Sequence, residues 1–295
     1  MENKNDELVS VVIPAFNREY IIKDCIESVL KQTYQNIEVI VVDDCSSDHT
    51  VDVVRAIKDP RVRCFQLSKN SGACHARNIG AEQAKGQYIA FQDSDDTWLP
   101  TKIEEQIEYL KQGNYDVVFC GMDRITLNQE HFYYPEAGFD ENKDAFEHIL
   151  LANRISTQCM LVKSYVLETV QFDPIIRKYQ DWDYAIGVAQ SFKIGYLPKA
   201  LVISEIQADS ISAVVSKYEA LNVIYNKYTS DIIKYPYIQA MFFYRLAEES
   251  WSRKEKNLKE IRKLYYRSLK SQFNLKVLIK LIASLVGKQL YIRRR

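Results

Sequence analysis

Three carboxylates lie within four positions of the stretch YIAFQDSDDTW at residues 88–98: Asp93, Asp95 and Asp96. Like charges at this spacing repel one another unless a cation lies among them. Mg²⁺ and Mn²⁺ prefer carboxylate oxygens and complete their coordination with water and substrate phosphates. The stretch therefore predicts a divalent cation that bridges a diphosphate and stabilises it as a leaving group. The alternative is a solvated acidic turn that caps the helix beginning near residue 101.

Two other chemistries use acidic stretches of this kind. A calcium loop of the EF-hand type needs glycine at its sixth position, where this chain has Trp98. The pattern FQDSDDT also resembles the DxDxT motif of haloacid-dehalogenase-like phosphatases, which would make Asp93 a nucleophile and Asp95 an acid/base. That motif follows the first strand of its fold, whereas this stretch follows the fourth predicted strand. The phosphatase remains the lesser alternative.

The elements that must position these acids are alternating strands and helices. Apolar, largely β-branched runs predict strands near 9–14, 37–44, 62–67, 87–91 and 115–122. Segments with helical spacing separate them, which implies right-handed crossovers and parallel strands. The strands lack polar alternation, as is typical of a sheet covered on both faces. The expected fold is therefore α/β, a Rossmann-like, mostly parallel sheet flanked by helices, with a C-terminal helical extension.

Polar residues follow three of these strands, at 14–17, 43–48 and 92–96. Because ligands bind at the carboxyl ends of parallel strands, the three segments should converge on one crevice. Asp43 or Asp44 can accept a hydrogen bond from a base or a ribose hydroxyl, or can cap the following helix. Arg77 can bind a diphosphate through bidentate hydrogen bonds, or it can be an ordinary arginine on a helix surface.

The chain resembles glycosyltransferase family 2, the inverting nucleotide-sugar transferases of GT-A fold, in VSVVIPAFN, IEVIVVDDCSSDHT, NSGACHARNIGAEQAKGQYIAFQDSDD and QDWD, in this order. The resemblance covers residues 8–205. It implies that a hexose or N-acetylhexosamine moves from a UDP-type nucleotide sugar to a saccharide or lipid-linked saccharide in surface polysaccharide biosynthesis. It also implies a GT-A catalytic domain at 1–215, with a nucleotide-binding half (8–125) and an acceptor half (126–215), before a basic helical region at 216–295.

The resemblance further implies roles for individual residues. The nucleotide-sugar site would be formed by Pro14, Ala15, Asn17, Asp43, Asp44, Arg77, Asp93 and Asp95. Within this set Asp43 or Asp44 would contact a uracil-type base. Asp93 and Asp95 would form the DxD motif that holds metal and ribose. Asp95 and Asp96 are the candidate ligands of Mn²⁺ or Mg²⁺, and the sequence does not distinguish between them.

Inverting transfer needs a carboxylate that deprotonates the acceptor hydroxyl as it attacks the anomeric carbon. Family members usually carry a Glu-Asp pair for this purpose. Here the stretch is YQDWDYAIGV, with Gln180 in place of the Glu, and Asp181 matches the base. Asp183 is the reserve candidate, although an acid in the first turn of a helix also interacts favourably with the helix dipole. Trp182 either stacks on a sugar or packs in the core.

Other features limit the possible functions. The six cysteines form no CxxC pair and the four histidines do not cluster with them, so zinc is not predicted. No uncharged apolar run is long enough to predict a membrane-spanning helix, and without a signal peptide we expect a cytoplasmic protein. A non-catalytic nucleotide-sugar-binding partner of another transferase is a second hypothesis, against which the presence of Asp95 and Asp181 argues.

The C-terminal tail carries an excess of positive charge. Residues 253–295 contain 14 Lys or Arg and 2 Glu, and because the net charge is zero the first 252 residues carry −12. A polar stripe at every fourth position predicts an amphipathic helix: Lys276, Lys280, Ser284 and Lys288. We expect residues 253–295 to bind an anionic membrane, placing the protein on the inner face of the plasma membrane. The alternative is a helix packed on the catalytic domain with its lysines in solvent. Nucleic acid is not an expected partner because the body is acidic.

Overall fold

The structure is a computed structural model that describes residues 7–135, 144–205, 216–253 and 255–286. The chain divides into two compact units, Met1–Ser210 and Ile211–Arg295. The first unit contains a sheet flanked by helices, and the second contains helices.

The first unit is built on a sheet with nine described strands: β1 (Val9–Ala15), β2 (Ile37–Asp43), β3 (Val62–Gln66), β4 (Tyr88–Phe91), β5 (Asp96–Trp98), β6 (Val117–Ile125), β7 (His131–Tyr134), β8 (Met160–Lys163) and β9 (Ile194–Glu205). The strand order is β3-β2-β1-β4-β8-β6-β9-β5, and β7 pairs with β6. Strands β1 to β4 are parallel, as predicted. In the other half β8, β5 and β7 pair antiparallel, while β6 and β9 are parallel.

Helices cover this sheet: α1 (Ile22–Leu30), α2 (Thr50–Ala56), α3 (Ala73–Glu82), α4 (Lys102–Gly113), α5 (Ala145–Leu151), α6 (Ser164–Thr169) and α7 (Gln180–Ala189). Their apolar faces join the strands in a continuous core. Helix α3 lies especially close to β1, since a Cβ at Gly80 would lie 2.3 Å from Cγ1 of Val12. The small residues of α3 therefore bring Arg77, on the same helix, against the sheet.

The acidic stretch is anchored to the sheet at both ends. It leaves β4 at Phe91, turns, and returns to the sheet as the three-residue strand β5, in which Asp96 pairs with Ser204 of β9. The side-chain amide of Gln92 donates to the backbone carbonyl of Asp96 across the turn (2.7 Å). The sequence did not predict β5, because three residues are too few to show a periodic pattern.

The second unit consists of helices in its described part: α8 (Lys217–Lys227), α9 (Thr229–Ile232), α10 (Pro236–Trp251), α11 (Leu258–Ser271) and α12 (Leu275–Leu285). Helix α11 packs on both α10 and α12. Within the described ranges, no helix combines the length and the apolar character that a membrane crossing requires.

Two members of the polar stripe of α12, Lys280 and Ser284, face inward, which differs from what the sequence suggested. Both interpretations of the tail placed its lysines at the surface, but Lys280 is only 5% exposed and Ser284 is fully buried. The ammonium of Lys280 contacts the carboxylate of Glu248 on α10 and donates to the hydroxyl of Tyr244 (3.0 Å). The carboxylate of Glu248 therefore stabilises the buried position of Lys280. Lys288 and the three C-terminal arginines lie outside the described residues.

Candidate active site

The structure brings the three polar strand-end segments together. Strand β1 lies between β2 and β4, and all three are parallel, so their carboxyl ends share one edge of the sheet. Side chains join two of the segments directly: the backbone N–H of Asn17 donates to the hydroxyl of Ser46 (2.9 Å), and the N–H of Ser47 donates to the side-chain oxygen of Asn17 (2.9 Å). The predicted convergence of the three segments at one edge of the sheet is therefore seen in the fold.

The loop after β1 is shaped by its local chemistry. Pro14 and Ala15 are the last residues of β1, opposite Val42 and Asp43 of β2. Asn17 follows with a backbone φ of +54°, a left-handed conformation that asparagine tolerates better than most residues. This turn aims the chain across the strand ends, and Asn17 remains exposed above them.

The two acids after β2 hold the loops around the crevice. The buried carboxylate of Asp43 accepts hydrogen bonds from the backbone N–H (3.0 Å) and the hydroxyl of Ser46. Asp44 accepts from the backbone N–H groups of Ser71 and Gly72, both at 2.7 Å, and so fixes the loop that precedes α3. Neither acid caps α2, because Asp48 accepts from the first N–H group of that helix.

Arg77 connects the acidic stretch to the start of α7. Its side chain is only 7% exposed, which excludes the interpretation as an ordinary surface arginine. One guanidinium nitrogen donates to Asp93 (2.7 Å) and the other to the side-chain oxygen of Gln180 (2.9 Å). The guanidinium also lies 5.4 Å from the ring centroid of Phe172. The guanidinium of Arg77 therefore links the acidic stretch with the residue preceding Asp181.

The remaining acids of the stretch repel one another inside the protein. Burial, followed by repulsion from Asp93, raises the pKa of Asp95. Burial and the charges of Asp93 and Asp95 raise the pKa of Asp96 well above its ordinary value, although a hydrogen bond from Ser204 opposes the shift. Asp96 is 4% exposed, so the interpretation as a fully solvated acidic turn does not hold for it.

The acids of the stretch are the residues that could hold a divalent cation. Across the described ranges, no group of three His, Cys, Asp or Glu side chains is arranged to hold a metal ion. A cation that retains water and binds substrate phosphates needs only one or two carboxylates. Asp95 is half-buried at the crevice, whereas Asp93 is held by Arg77 and Asp96 faces Ser204. Asp95 is consequently the member of the stretch best placed to contact such an ion.

Asp181 lies in the first turn of α7 and is held by two hydrogen bonds. The side-chain amide of Asn153 donates to Oδ1 of Asp181 (3.0 Å), and the backbone N–H of Trp182 donates to the same oxygen (2.8 Å). Burial raises the pKa of Asp181; these hydrogen bonds oppose the shift, while the charge of Asp93 adds to it. A carboxylate with a raised pKa is a stronger base, which suits proton abstraction.

The neighbours of Asp181 on α7 have packing roles. Trp182 is 2% exposed and its indole N–H donates to the carbonyl of Ile149 (2.6 Å), in agreement with the packing interpretation. Asp183 is 3% exposed and also lies in the first turn of α7, where the helix dipole favours an acid.

Two residues of the site were not predicted from the sequence. Arg18 follows Asn17, and its positive charge lowers the pKa of Asp95. The buried Nε of Arg18 has no hydrogen-bond partner among the described residues, and Nη1 donates only to the carbonyl of Asn17 (3.1 Å). Its position directly after PAFN was the available signal. Asn153 gave none, because its contact with Asp181 spans 28 residues.

Solved structures with the same architecture support the fold assignment. The crystal structure of Staphylococcus aureus TarS 1–349 in complex with UDP-GlcNAc matches with a TM-score of 0.67 and 19% identity, covering 94% of this chain and 87% of that chain. The complex of TarS 1–349 with UDP matches with a TM-score of 0.58 and 20% identity, over 96% and 93% of the two chains. At this identity the likeness concerns the fold, and it confirms the predicted GT-A architecture.

Sequence relatives agree with the fold. The chain is 49% identical over 105 residues to the Escherichia coli UDP-Glc:alpha-D-GlcNAc-diphosphoundecaprenol beta-1,3-glucosyltransferase WfaP, covering 36% of this chain and 42% of WfaP. It is 42% identical over 116 residues to the Bacillus subtilis putative teichuronic acid biosynthesis glycosyltransferase TuaG, covering 39% and 46%. These matches span less than half of either relative. The sequence model described as Glycosyl transferase family 2 matches residues 10–169, more than half of the chain. The chain belongs to glycosyltransferase family 2.

Proposed function

We propose that the protein is an inverting glycosyltransferase that moves a hexose or N-acetylhexosamine from a UDP-sugar to a saccharide or lipid-linked saccharide in surface polysaccharide biosynthesis. The observation that carries this proposal is the bridge made by Arg77 between Asp93 and Gln180. It joins an acidic stretch that could hold a diphosphate through a divalent cation with the neighbour of Asp181, a half-buried carboxylate whose pKa is raised. The family assignment and the name of WfaP, which specifies a UDP-Glc donor and a lipid-diphosphate acceptor, support it.

The donor would lie across the strand ends. Asp43 and Asp44 are oriented by their hydrogen bonds to Ser46, Ser71 and Gly72, and a carboxylate has about four acceptor sites, so capacity remains for a base N–H. Arg18 and Arg77 are the cations at the crevice that would bind the diphosphate, since guanidinium groups match phosphate geometry.

Mn²⁺ or Mg²⁺ is the proposed cofactor, with Asp95 as its main protein ligand. The bound ion would supply positive charge to the departing diphosphate. In this arrangement Asp96 supports the loop from below, through its place in β5 and its contact with Ser204. Asp93 orients Arg77 and can accept from the ribose.

Asp181 is the proposed general base. Its carboxylate would take the proton of the acceptor hydroxyl as that oxygen attacks the anomeric carbon from the face opposite UDP. Asn153 fixes the carboxylate through Oδ1, which leaves Oδ2 for the incoming proton. Gln180, in place of the Glu usual in the family, donates no charge and instead accepts from Arg77.

The acceptor side of the proposal includes a membrane. We propose that residues 253–295, with 14 Lys or Arg and 2 Glu, hold the protein on the inner face of an anionic membrane. A lipid-linked saccharide would be presented to the enzyme at this surface, as the acceptor named for WfaP is.

Donor binding tests the proposal most directly. The melting temperature should rise with one or more UDP-sugars when Mn²⁺ is present, because a ligand that binds only the folded state stabilises it. Arg77→Gln should lose most of this increment, and Arg55→Gln, a change at an exposed arginine of α2, should keep it. The rise in melting temperature on adding the UDP-sugar is compared between variants, because a substitution that only destabilises the fold lowers the melting temperature with and without ligand. If no UDP-sugar in a broad panel stabilises the wild type, the proposal is wrong.

A further inference from the structure

The outward face of α12 is apolar over its whole length. Its exposed large side chains are Leu275, Ile279, Ile282, Leu285 and Val286, with exposures from 40% to 71%. They recur at intervals of three and four residues, so they share one side of the helix. Lys276 is the one charged residue of α12 that the structure describes as exposed. Contiguous apolar surface of this kind marks an interaction site.

The orientation of α12 is fixed by contacts on its inward side. Lys280 is paired with Glu248 and Tyr244 of α10. At the carboxyl end, Arg262 of α11 donates to the carbonyl of Ser284 (2.9 Å), and at the amino end Asn274 accepts from the first N–H groups of the helix. Rotating the helix to hide its apolar side chains would break the ion pair and leave charges without partners inside the unit.

The charge around this face indicates what covers it. Residues 256–286 contain eight Lys or Arg and one Glu. The solvent side of the adjacent α11 carries Lys259, Lys263, Tyr266 and Lys270, all exposed. The one acid, Glu260, is bonded to Tyr218 and Arg253. An occupant must therefore be apolar beside α12 and negative beside α11. A second copy of this chain that docked through the same face would bring the same positive charge and be repelled.

We propose that α12 is an interfacial membrane wedge, whose apolar face enters the acyl boundary of an anionic bilayer while the lysines of α11 contact the headgroups. The proposal rests on the membrane association proposed above and adds which side chains insert. It is independent of the donor chemistry in the first unit. The ion pair between the buried Lys280 and Glu248 holds the helix with its apolar side outward.

A matched pair of substitutions tests insertion in the full chain. Ile282→Glu lies on the proposed face, and Ile233→Glu lies elsewhere in the same unit at almost the same exposure, 56% against 55%. Flotation with vesicles of phosphatidylcholine and phosphatidylglycerol should fall about tenfold or more for Ile282→Glu, because burying one isoleucine contributes roughly a factor of ten. Ile233→Glu should float like the wild type. Equal flotation of the two variants would overturn the proposal.

Depth can be measured without disrupting the face. The three native tryptophans, Trp98, Trp182 and Trp251, are each 5% exposed or less, so they should be protected from quenchers in the lipid. Ile279→Trp should show strong quenching by phospholipids brominated on their acyl chains, and Ile233→Trp should show little. Similar quenching in both variants would contradict insertion through α12.

Two further measurements separate the possible failures. If Ile282→Glu turns an oligomer into a monomer by sedimentation and still floats normally, a second copy covers the face and the membrane wedge is wrong. The UDP-sugar increment in melting temperature should be the same in Ile282→Glu and the wild type. A loss of flotation with this increment intact therefore supports the wedge, whereas an absent increment in the wild type counts against the donor proposal alone.

Discussion

Buried charged side chains have opposite electrostatic surroundings in the two units. In the crevice of the first unit, burial and neighbouring carboxylates raise the pKa values of Asp95 and Asp96. In the helical unit, burial lowers the pKa of Lys280, but the hydrogen bonds that its ammonium donates to Glu248 and Tyr244 outweigh burial and leave that pKa raised. The acids of the crevice thus destabilise one another, whereas the lysine of α12 has its countercharge supplied by the fold.

This contrast separates charges that serve a ligand from charges that serve packing. A cluster of like charges destabilises the folded protein, and a bound cation or substrate can remove that repulsion, so such clusters are typical of ligand sites. A matched pair needs nothing further and fixes orientation, although its net contribution to stability is small. Neutralising an acid of the crevice should therefore remove activity and spare stability. Neutralising Glu248 should do the reverse.

The largest effect is expected at Asp181. Asp181→Asn keeps the hydrogen bonds to Oδ1 but has no basic oxygen, so transfer should fall by about 10²–10⁴-fold, the range of a general base. The increment in melting temperature with UDP-sugar and Mn²⁺ should be unchanged, which shows that the donor still binds. Single-turnover transfer to an acceptor that the wild type uses is the measurement.

Asp183→Asn is the companion variant. It removes the reserve candidate from the same helical turn and should change transfer less than about tenfold once the folded fraction is equal. If Asp181→Asn turns over almost normally and Asp183→Asn does not, the base is Asp183.

The next effect concerns the acidic stretch itself. Asp95→Asn should abolish most of the Mn²⁺-dependent increment in melting temperature and lower transfer strongly, because it removes the proposed ligand. Asp96→Asn should retain part of both, since Asp96 is buried beside Ser204. Equal loss of the increment in both variants would show that the two acids share the ion.

The free energy of unfolding of these variants should depend less on pH than that of the wild type. The folded pKa values of Asp95 and Asp96 are raised, so the unfolded state loses these protons first and the wild type becomes less stable as the pH rises from about 4. Each Asn variant should lose part of that decline in the absence of Mn²⁺. Urea unfolding between pH 4 and 7 measures this decline. A decline identical to that of the wild type in both variants would show that Asp95 and Asp96 do not destabilise the folded protein.

Glu248→Gln should have a smaller effect, which is on the stability of the helical unit and not on donor binding. It leaves the ammonium of Lys280 in place with no carboxylate beside it, which should lower the free energy of unfolding of the helical unit by roughly 2 kcal/mol. Glu249→Gln, one position along α10, is the control and should change it by less than about 0.5 kcal/mol. Urea unfolding followed by fluorescence, in a background with Trp98→Phe and Trp182→Phe that leaves Trp251 as the one tryptophan, reports on this unit. If Glu248→Gln also lowers the increment in melting temperature with UDP-sugar and Mn²⁺, the Lys280–Glu248 pair contributes to donor binding.

The crevice could be predicted from the sequence because its parts follow strand ends. Local patterns gave the strands, and the rule for parallel sheets then placed residues 14–17, 43–48 and 92–96 at one edge. The contacts that organise the site join distant positions. Arg77 and Gln180 are 103 residues apart, and no local pattern carries that pairing. The role of Gln180 as a partner of Arg77 was accordingly missed.

The helical unit shows the complementary limit. A four-residue repeat places Lys280 and Ser284 on one side of a helix, but periodicity does not say which side faces the core. Polar residues normally face solvent, and this expectation failed because Glu248, 32 positions earlier, offers a countercharge inside. The amphipathic pattern was correct, but Lys280 and Ser284 are buried, and apolar residues such as Ile279 and Ile282 are exposed.

Lys102 is a third case, a buried charge without a matching carboxylate in its contacts. Its side chain is fully buried, its ammonium lies 3.7 Å from the ring centroid of Trp98, and it donates to the side-chain oxygen of Gln106 (2.7 Å). An aromatic face and an amide favour the cation only weakly. Burial therefore lowers the pKa of Lys102 to about 8.

Lys102→Met should change the pH dependence of stability by the smallest amount. Between about pH 8 and the unfolded value near 10.5, the unfolded chain holds a proton that the folded protein has released, so the wild type gains stability as the pH rises. Lys102→Met lacks this gain, and its stability relative to the wild type should fall by about 1 kcal/mol between pH 7 and about 8.7. The exposed control Lys58→Met should show no such change in urea unfolding. A relative stability of Lys102→Met that stays constant over this range would mean that the ammonium is as well stabilised as Lys280, and that the first unit also neutralises its buried charges.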